Sequence, residues 1–179
     1  SISRGIVNSK ELQDLGLNLY AIIPVSQLQR EYDLKKIASN KLAGQKNNQE
    51  LLLANEHPAD LSVEAIRSLR TSLHFSMLGA ENNIVMITSG GPEVGKSFVS
   101  SNTAVVFAKS GQKVLVIDAD MRRGYLHYRF GLDAGKGLSN FLLNSCGMEE
   151  IVRTTEIENM HFISRGMVPP NPSELLMTQ

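Results

Sequence analysis

The sequence predicts an α/β fold, a parallel sheet flanked by helices, on three observations. An apolar run, Ile84-Val85-Met86-Ile87, leads into Gly90-x-x-x-x-Gly95-Lys96-Ser97. A helical segment, Ser97 to Ala108, follows and is closed by Gly111. A second apolar run, Val114 to Ile117, then ends in Asp118-Ala119-Asp120. Strand, helix and strand in that order call for a parallel pair joined by a right-handed crossover, with ligands at the C-terminal ends of the strands.

Bulk properties bound the rest. A chain of 179 residues suits one domain, with room for a small extension. Lys+Arg 18 against Asp+Glu 18 leaves no net charge, which gives no sign of a nucleic-acid or anionic-membrane surface. One cysteine, Cys146, cannot build a disulfide framework and fits a reducing compartment. No apolar run reaches the roughly 18–20 residues that cross a bilayer, and Ser1 to Gly5 lack the apolar core of a signal peptide. The expectation is a soluble chain of cytoplasmic character.

Taken in order, Ser9 to Leu15 makes a short helix with Ser9 as N-cap and Gly16 at its end. Leu19 to Ile23 reads as a strand stopped by Pro24. From Gln27 to Pro58 the composition is polar, and a linker with patchy helix rather than core is expected. Asp60 to Met77 is an amphipathic helix, because Ile66, Leu69, Leu73 and Met77 recur at helical spacing. Its Glu64-x-x-Arg67-x-x-Arg70 series swings away from that stripe, and spacing alone favours a solvated face with local ion pairs. Ile84 to Ile87, uncharged throughout, reads as a strand buried on both faces. Beyond Asp120, residues 137–142 and 149–152 are short helices and Met160 to Ser164 is a third core strand. Pro172 and Ser173 open a last helix. The four histidines show no metal-ligand spacing.

The glycine-rich stretch carries the chemistry. It matches the P-loop pattern in full and has the strand-before, helix-after context that pattern requires. Backbone N–H groups converging on a helix N-terminus hold dense negative charge well, and glycines let the chain curl tightly enough to present them. Gly90, Gly91, Pro92, Glu93, Val94, Gly95, Lys96, Ser97 and Phe98 are therefore the candidate nucleotide-binding residues. Lys96 would reach the β- and γ-phosphates and the Ser97 hydroxyl would ligate Mg²⁺. Asp118 and Asp120, one residue apart at a strand end, point to the same side and can face a Mg²⁺–nucleotide. One would act on the metal's water shell and the other as a base toward an attacking hydroxyl. A strand-terminating Asp that caps the next turn is the plainer alternative.

Four motifs in this order resemble the bacterial tyrosine kinases. They are the P-loop with its internal proline, Ile117-Asp118-Ala-Asp120-Met-Arg122-Arg123, the Glu64-Arg67-Arg70 series, and Arg165-Gly-x-x-Pro-Pro-Asn-Pro-Ser-Glu-Leu. More narrowly, they are similar to the cytoplasmic kinase domain of Wzc/Etk-type polysaccharide co-polymerases of the inner membrane. The resemblance implies a deviant-Walker, MinD/ParA-like P-loop fold. Residues 1–58 would then be a membrane-proximal segment and linker, and 59–179 the kinase domain. It implies an ATP- and Mg²⁺-dependent tyrosine autokinase acting in trans between ring-forming subunits and regulating polysaccharide export. A cognate phosphatase would be a partner, and membrane attachment would run through segments outside this chain.

By the same resemblance, Lys96 and Ser97 bind phosphate and metal, and Asp118 and Asp120 form the Walker A′ motif. Glu64, Arg67 and Arg70 would join neighbouring subunits. Tyr125 would be an internal phosphorylated tyrosine whose phosphate pairs with Arg165, since an arginine fork suits a group of about −1.5 to −2 charges. Gly91 stands where MinD/ParA-type ATPases carry a signature lysine, which points away from that alternative. A nucleotide-gated ring-assembly module is the other. The family's Walker B strand and tyrosine-rich tail are expected beyond Gln179. The fold would thus be cut before the Walker B strand, and the fragment alone is expected to be destabilised, oligomeric or partly disordered.

Overall fold

The computed structural model describes residues 9–43 and 50–177. Expectations for the extreme N-terminus, and most of those for the Lys- and Asn-rich stretch 41–50, lie outside the described residues. The helices are α1 (Ser9–Asp14), α2 (Gln27–Ala43), α3 (Leu53–Glu56), α4 (Leu61–Met77), α5 (Lys96–Lys109), α6 (Leu138–Leu142), α7 (Met148–Ile151) and α8 (Pro172–Leu175). The strands are β1 (Val114–Ile117), β2 (Arg153–Thr154) and β3 (Met160–Ile163), in sheet order β1-β3-β2. β1 and β3 are parallel, Val114 opposite Met160 and Ile117 opposite Ile163, while β2 adds an antiparallel edge.

Helix α5 is the centre of the packing. Val105, Ala108 and Val106 bury against β1, β3 and the helices α3 and α4. Ile66 and Val63 of α4 are fully buried on the same side, and Phe162 of β3 meets Phe130 at 5.1 Å between ring centroids. Asp60 caps α4 by accepting from the Ser62 N–H at 2.8 Å, and Ser26 donates to its second oxygen at 2.8 Å. That places α4 one residue inside the expected span, with Ile66 buried and Leu69, Leu73 and Met77 half-buried as the stripe requires.

Three expectations are corrected. Residues 84–87 form no strand, and Ile84 and Met86 are both 82% exposed. A strand exists only by pairing, and among the described residues β1 pairs with β3, so the crossover expected from 84–87 to β1 is not formed. Hydrophobicity nominated the segment, but it does not supply a neighbour. Leu19 to Ile23 is likewise extended without pairing, though Ser72 Oγ donates to the Tyr20 carbonyl at 3.2 Å and Ile23 packs against the core. The third correction lies within the polar stretch expected as linker. Leu51, Leu52, Leu53 and Ala54 are core residues, packed against α5. Asn102 of α5 holds them there, accepting from the Ala54 N–H at 2.7 Å.

Candidate active site

The P-loop leads into α5 through a tight curl. Gly95, the N-cap, has φ +92°, a left-handed conformation that side chains other than hydrogen resist. Glu93 is left-handed as well at φ +60°, and Ser89 Oγ ties the loop by donating to the Gly91 carbonyl at 2.7 Å. No side chain caps α5. Its first N–H groups therefore point outward with the positive end of the helix dipole behind them. A Cβ placed on Gly90, Gly91 or Gly95 would meet nothing within 4 Å, so the space in front of the loop is open. An uncapped helix start facing open space fits a phosphate chain. Lys96 and Phe98 are half-buried and Ser97 is exposed at this mouth. Pro92 and Val94 lie on the exposed outer arc.

Asp118 sits at the C-terminal end of β1, where its N–H reaches the Ile163 carbonyl at 2.9 Å. It is buried, 3% exposed. One carboxylate oxygen accepts from Asp120 N at 3.2 Å and the other from Leu126 N at 3.1 Å. Burial, with some help from the neighbouring Asp120 charge, holds its pKa above the ordinary aspartate value against those two amides and Arg165. Asp120 is exposed, and its Oδ1 accepts from Arg122 N at 3.2 Å and Arg123 N at 2.8 Å. Both aspartates thus cap the turn that follows, the plainer reading, while keeping oxygen lone pairs for a ligand.

That turn carries Tyr125, 52% exposed. The Arg165 guanidinium lies over its ring at 5.2 Å from the centroid and donates from Nη1 to the Arg122 carbonyl at 3.0 Å. Two residues far apart in sequence, both singled out there, meet at one edge of the sheet. On α4, Arg67 pairs with Glu64 within the helix, and Arg70 is half-buried beside them.

Comparison with known proteins places the fold. A family model described as an AAA domain matches residues 82–172. The solved structure titled "BceF Tyrosine Kinase Domain" superposes with a TM-score of 0.85 and 41% identity, covering 98% of this chain and 69% of that one. The chain belongs to the bacterial tyrosine kinases. The kinase domain of Escherichia coli tyrosine kinase ETK is 43% identical with a TM-score of 0.83, covering 97% of this chain and 65% of its own. The tyrosine-protein kinase Wzc of Salmonella typhimurium is 44% identical over 178 residues, covering 99% of this chain. The chain spans 24% of the length of that curated relative. P-loop architecture and nucleotide use are therefore those of the family.

Mg²⁺ is the metal that the family resemblance implies. Among the described residues no three His, Cys, Asp or Glu side chains gather as a metal cluster. Mg²⁺ takes one or two carboxylates together with phosphate oxygens and waters. The Ser97 hydroxyl and the aspartates are hard oxygen donors of the right kind. A cleft of about 470 Å³ lies elsewhere, between the C-terminal end of α5 and residues 156–159, at the rim opposite the P-loop. No P-loop residue lines it.

Some contributors to the site went unassigned in the sequence. Asn102, fully buried, bridges the Phe98 carbonyl and α3 and so braces the first turns of α5. Tyr128 stacks on Tyr125 at 5.9 Å and 12°. Spacing alone carries that signal, because residues three apart eclipse in a 3₁₀ turn, and Leu126–Phe130 is one.

Proposed function

We propose that this domain is the nucleotide-binding and phosphoryl-transferring part of a protein-tyrosine autokinase that uses ATP with Mg²⁺. The observation that carries it is Tyr125, half exposed on the turn that the Asp118–Asp120 strand end feeds, with Arg165 over its ring. A plain ATPase has no use for a tyrosine and an arginine arranged in this way.

The residues divide the work by environment. The α5 amides and Lys96 hold and orient the phosphates. Bound Mg²⁺, held by Ser97 and an aspartate, would neutralise phosphate charge as it builds up during transfer. Asp118, whose burial makes it more basic than an ordinary aspartate, is the better acceptor for the tyrosine proton. Asp120, exposed and with one oxygen uncommitted, is the better partner on the metal side. A phosphate on Tyr125 would meet the Arg165 fork, a charge-assisted contact of the strong class. ADP leaves after transfer.

By resemblance the reading extends to a homo-oligomeric ring that phosphorylates tyrosines in trans, built through Glu64, Arg67 and Arg70. It places the domain on the cytoplasmic side of a bacterial inner membrane, reset by a cognate phosphatase and serving polysaccharide export. Among the described residues no helix is long and apolar enough to cross a membrane.

The test is incubation of the intact protein with Mg²⁺–ATP and detection of phosphotyrosine. Signal in the wild type and none in Lys96→Met is the expected result. ATP hydrolysis without phosphotyrosine would instead favour the ATPase.

A further inference from the structure

Besides a tilted contact with His127 at 6.3 Å, the ring of Tyr125 has two aromatic or cationic neighbours, and the family resemblance accounts for one of them, Arg165. The other is Tyr128, nearly parallel to it at 5.9 Å, an offset stack. We propose that Tyr128 is a positioning residue for Tyr125, holding that ring at the orientation from which its hydroxyl receives phosphate. This rests on the kinase reading above and names a residue which that reading leaves idle.

Tyr128 is itself fixed from behind. Its ring lies 4.1 Å from that of His127, which is 2% exposed and cannot move aside without disturbing the core. Its carbonyl accepts from Glu50 N at 3.4 Å. The next residue, Arg129, donates to the Leu51 carbonyl at 3.2 Å and sits 2.9 Å from Glu50 Oε2. Tyr128 N donates to the Tyr125 carbonyl at 3.1 Å, closing the turn between the two tyrosines. Tyr128 therefore offers a well-held face, whereas Tyr125 is half exposed and its side chain is met, among the described residues, by ring contacts. Without the stack, Tyr125 samples more rotamers, and the fraction of time its hydroxyl spends in line with the transferred phosphate falls.

The experiment measures the initial rate of phosphate incorporation at Tyr125 in the intact protein with Mg²⁺–ATP. The tryptic peptide Gly124–Arg129 is read by mass spectrometry, with fragmentation separating Tyr125 from Tyr128. Tyr128→Ala is expected to slow the rate by about threefold to tenfold, the range one aromatic pair is worth. Nucleotide affinity should stay at the wild-type value. Tyr128→Phe, which keeps the ring, should restore the rate. Tyr128→Leu, which keeps the bulk without the ring face, should remain slow and guards against Tyr128→Ala failing to fold. A wild-type rate in both Tyr128→Ala and Tyr128→Leu overturns the proposal, as does a Tyr128→Phe rate equal to that of Tyr128→Leu. Phosphate present at Tyr125 but indifferent to residue 128 sinks this proposal alone. Phosphate absent from all tyrosines of the wild type sinks the kinase reading with it.

Discussion

Gly124 lies so close to Asp118 that a methyl group on its Cα would sit 2.6 Å from Asp118 Oδ2 and 2.6 Å from the Asp120 carbonyl oxygen. Neither neighbour can yield easily, since one is held by two amides and the other is backbone. Gly124→Ala is therefore expected to displace the Asp118–Asp120 turn. A shift near 1 Å at a reacting group costs about a hundredfold in rate. Phosphotyrosine formation should fall by about that factor while nucleotide affinity, set by the P-loop, changes little. A kinetic assay beside a nucleotide titration separates the two, and normal turnover would show that the turn is not part of the site.

Asn102 joins α3 to α5 through the Ala54 N–H and the Phe98 carbonyl, at 2.7 and 2.8 Å, with no exposure of its own. Asn102→Leu leaves a buried amide without an acceptor, at a cost of about 1–3 kcal/mol. Thermal melting should drop by roughly 2–12 °C for a chain of this size. An unchanged melt would mean that the Ala54 amide finds another partner.

His127 should make the fold acid-sensitive near neutrality. Burial lowers its pKa below 6.5, and the charges of Arg165 and Arg153 add to that against an opposing pull from Asp133. Its Nδ1 also has no hydrogen-bond partner, so a proton there would be a buried, unsatisfied donor. Above about pH 6.5 both folded and unfolded chains carry neutral His127. As pH falls through that value the unfolded chain takes up the proton first, so stability is lost until the folded pKa is passed. Melting temperatures between about pH 7.5 and 5 should fall more steeply for wild type than for His127→Gln, and equal slopes would exclude His127 as the cause.

The Glu64–Arg67 pair lies within one helix and is exposed, so it stabilises the fold by only about 0.2–0.5 kcal/mol. Replacing Arg67 and Arg70 with alanine should scarcely move the melting temperature. If the series joins subunits, the same double variant shifts the intact protein to smaller species on size-exclusion chromatography. Unchanged elution would return these residues to the solvated-face reading that their spacing first favoured.

Local chemistry made much of this legible in the sequence. The P-loop curl, α4, β1, β3 and the short helices after residue 137 follow from glycine placement and periodicity, all encoded within a few positions. The two strands expected at 19–23 and 84–87 failed for one shared reason. Apolar character says a segment is fit to be a strand, while hydrogen-bonding partners decide whether it is one. The burial of Leu51 to Ala54 was hidden by polar neighbours, because the apolar face of α5 that covers them and the Asn102 acceptor that satisfies the Ala54 N–H lie nearly fifty positions further along the chain.

By itself the sequence marked the P-loop as the candidate phosphate site and Asp118 and Asp120 as the carboxylates proposed beside it, because those depend on residue type and short spacing, while Tyr125 entered only through the family resemblance. Only the tertiary structure decided that Arg165 covers Tyr125, that Tyr128 stacks on it and that Asp118 is buried enough to become more basic. Those are distances and desolvation between elements remote in sequence, and packing alone sets them.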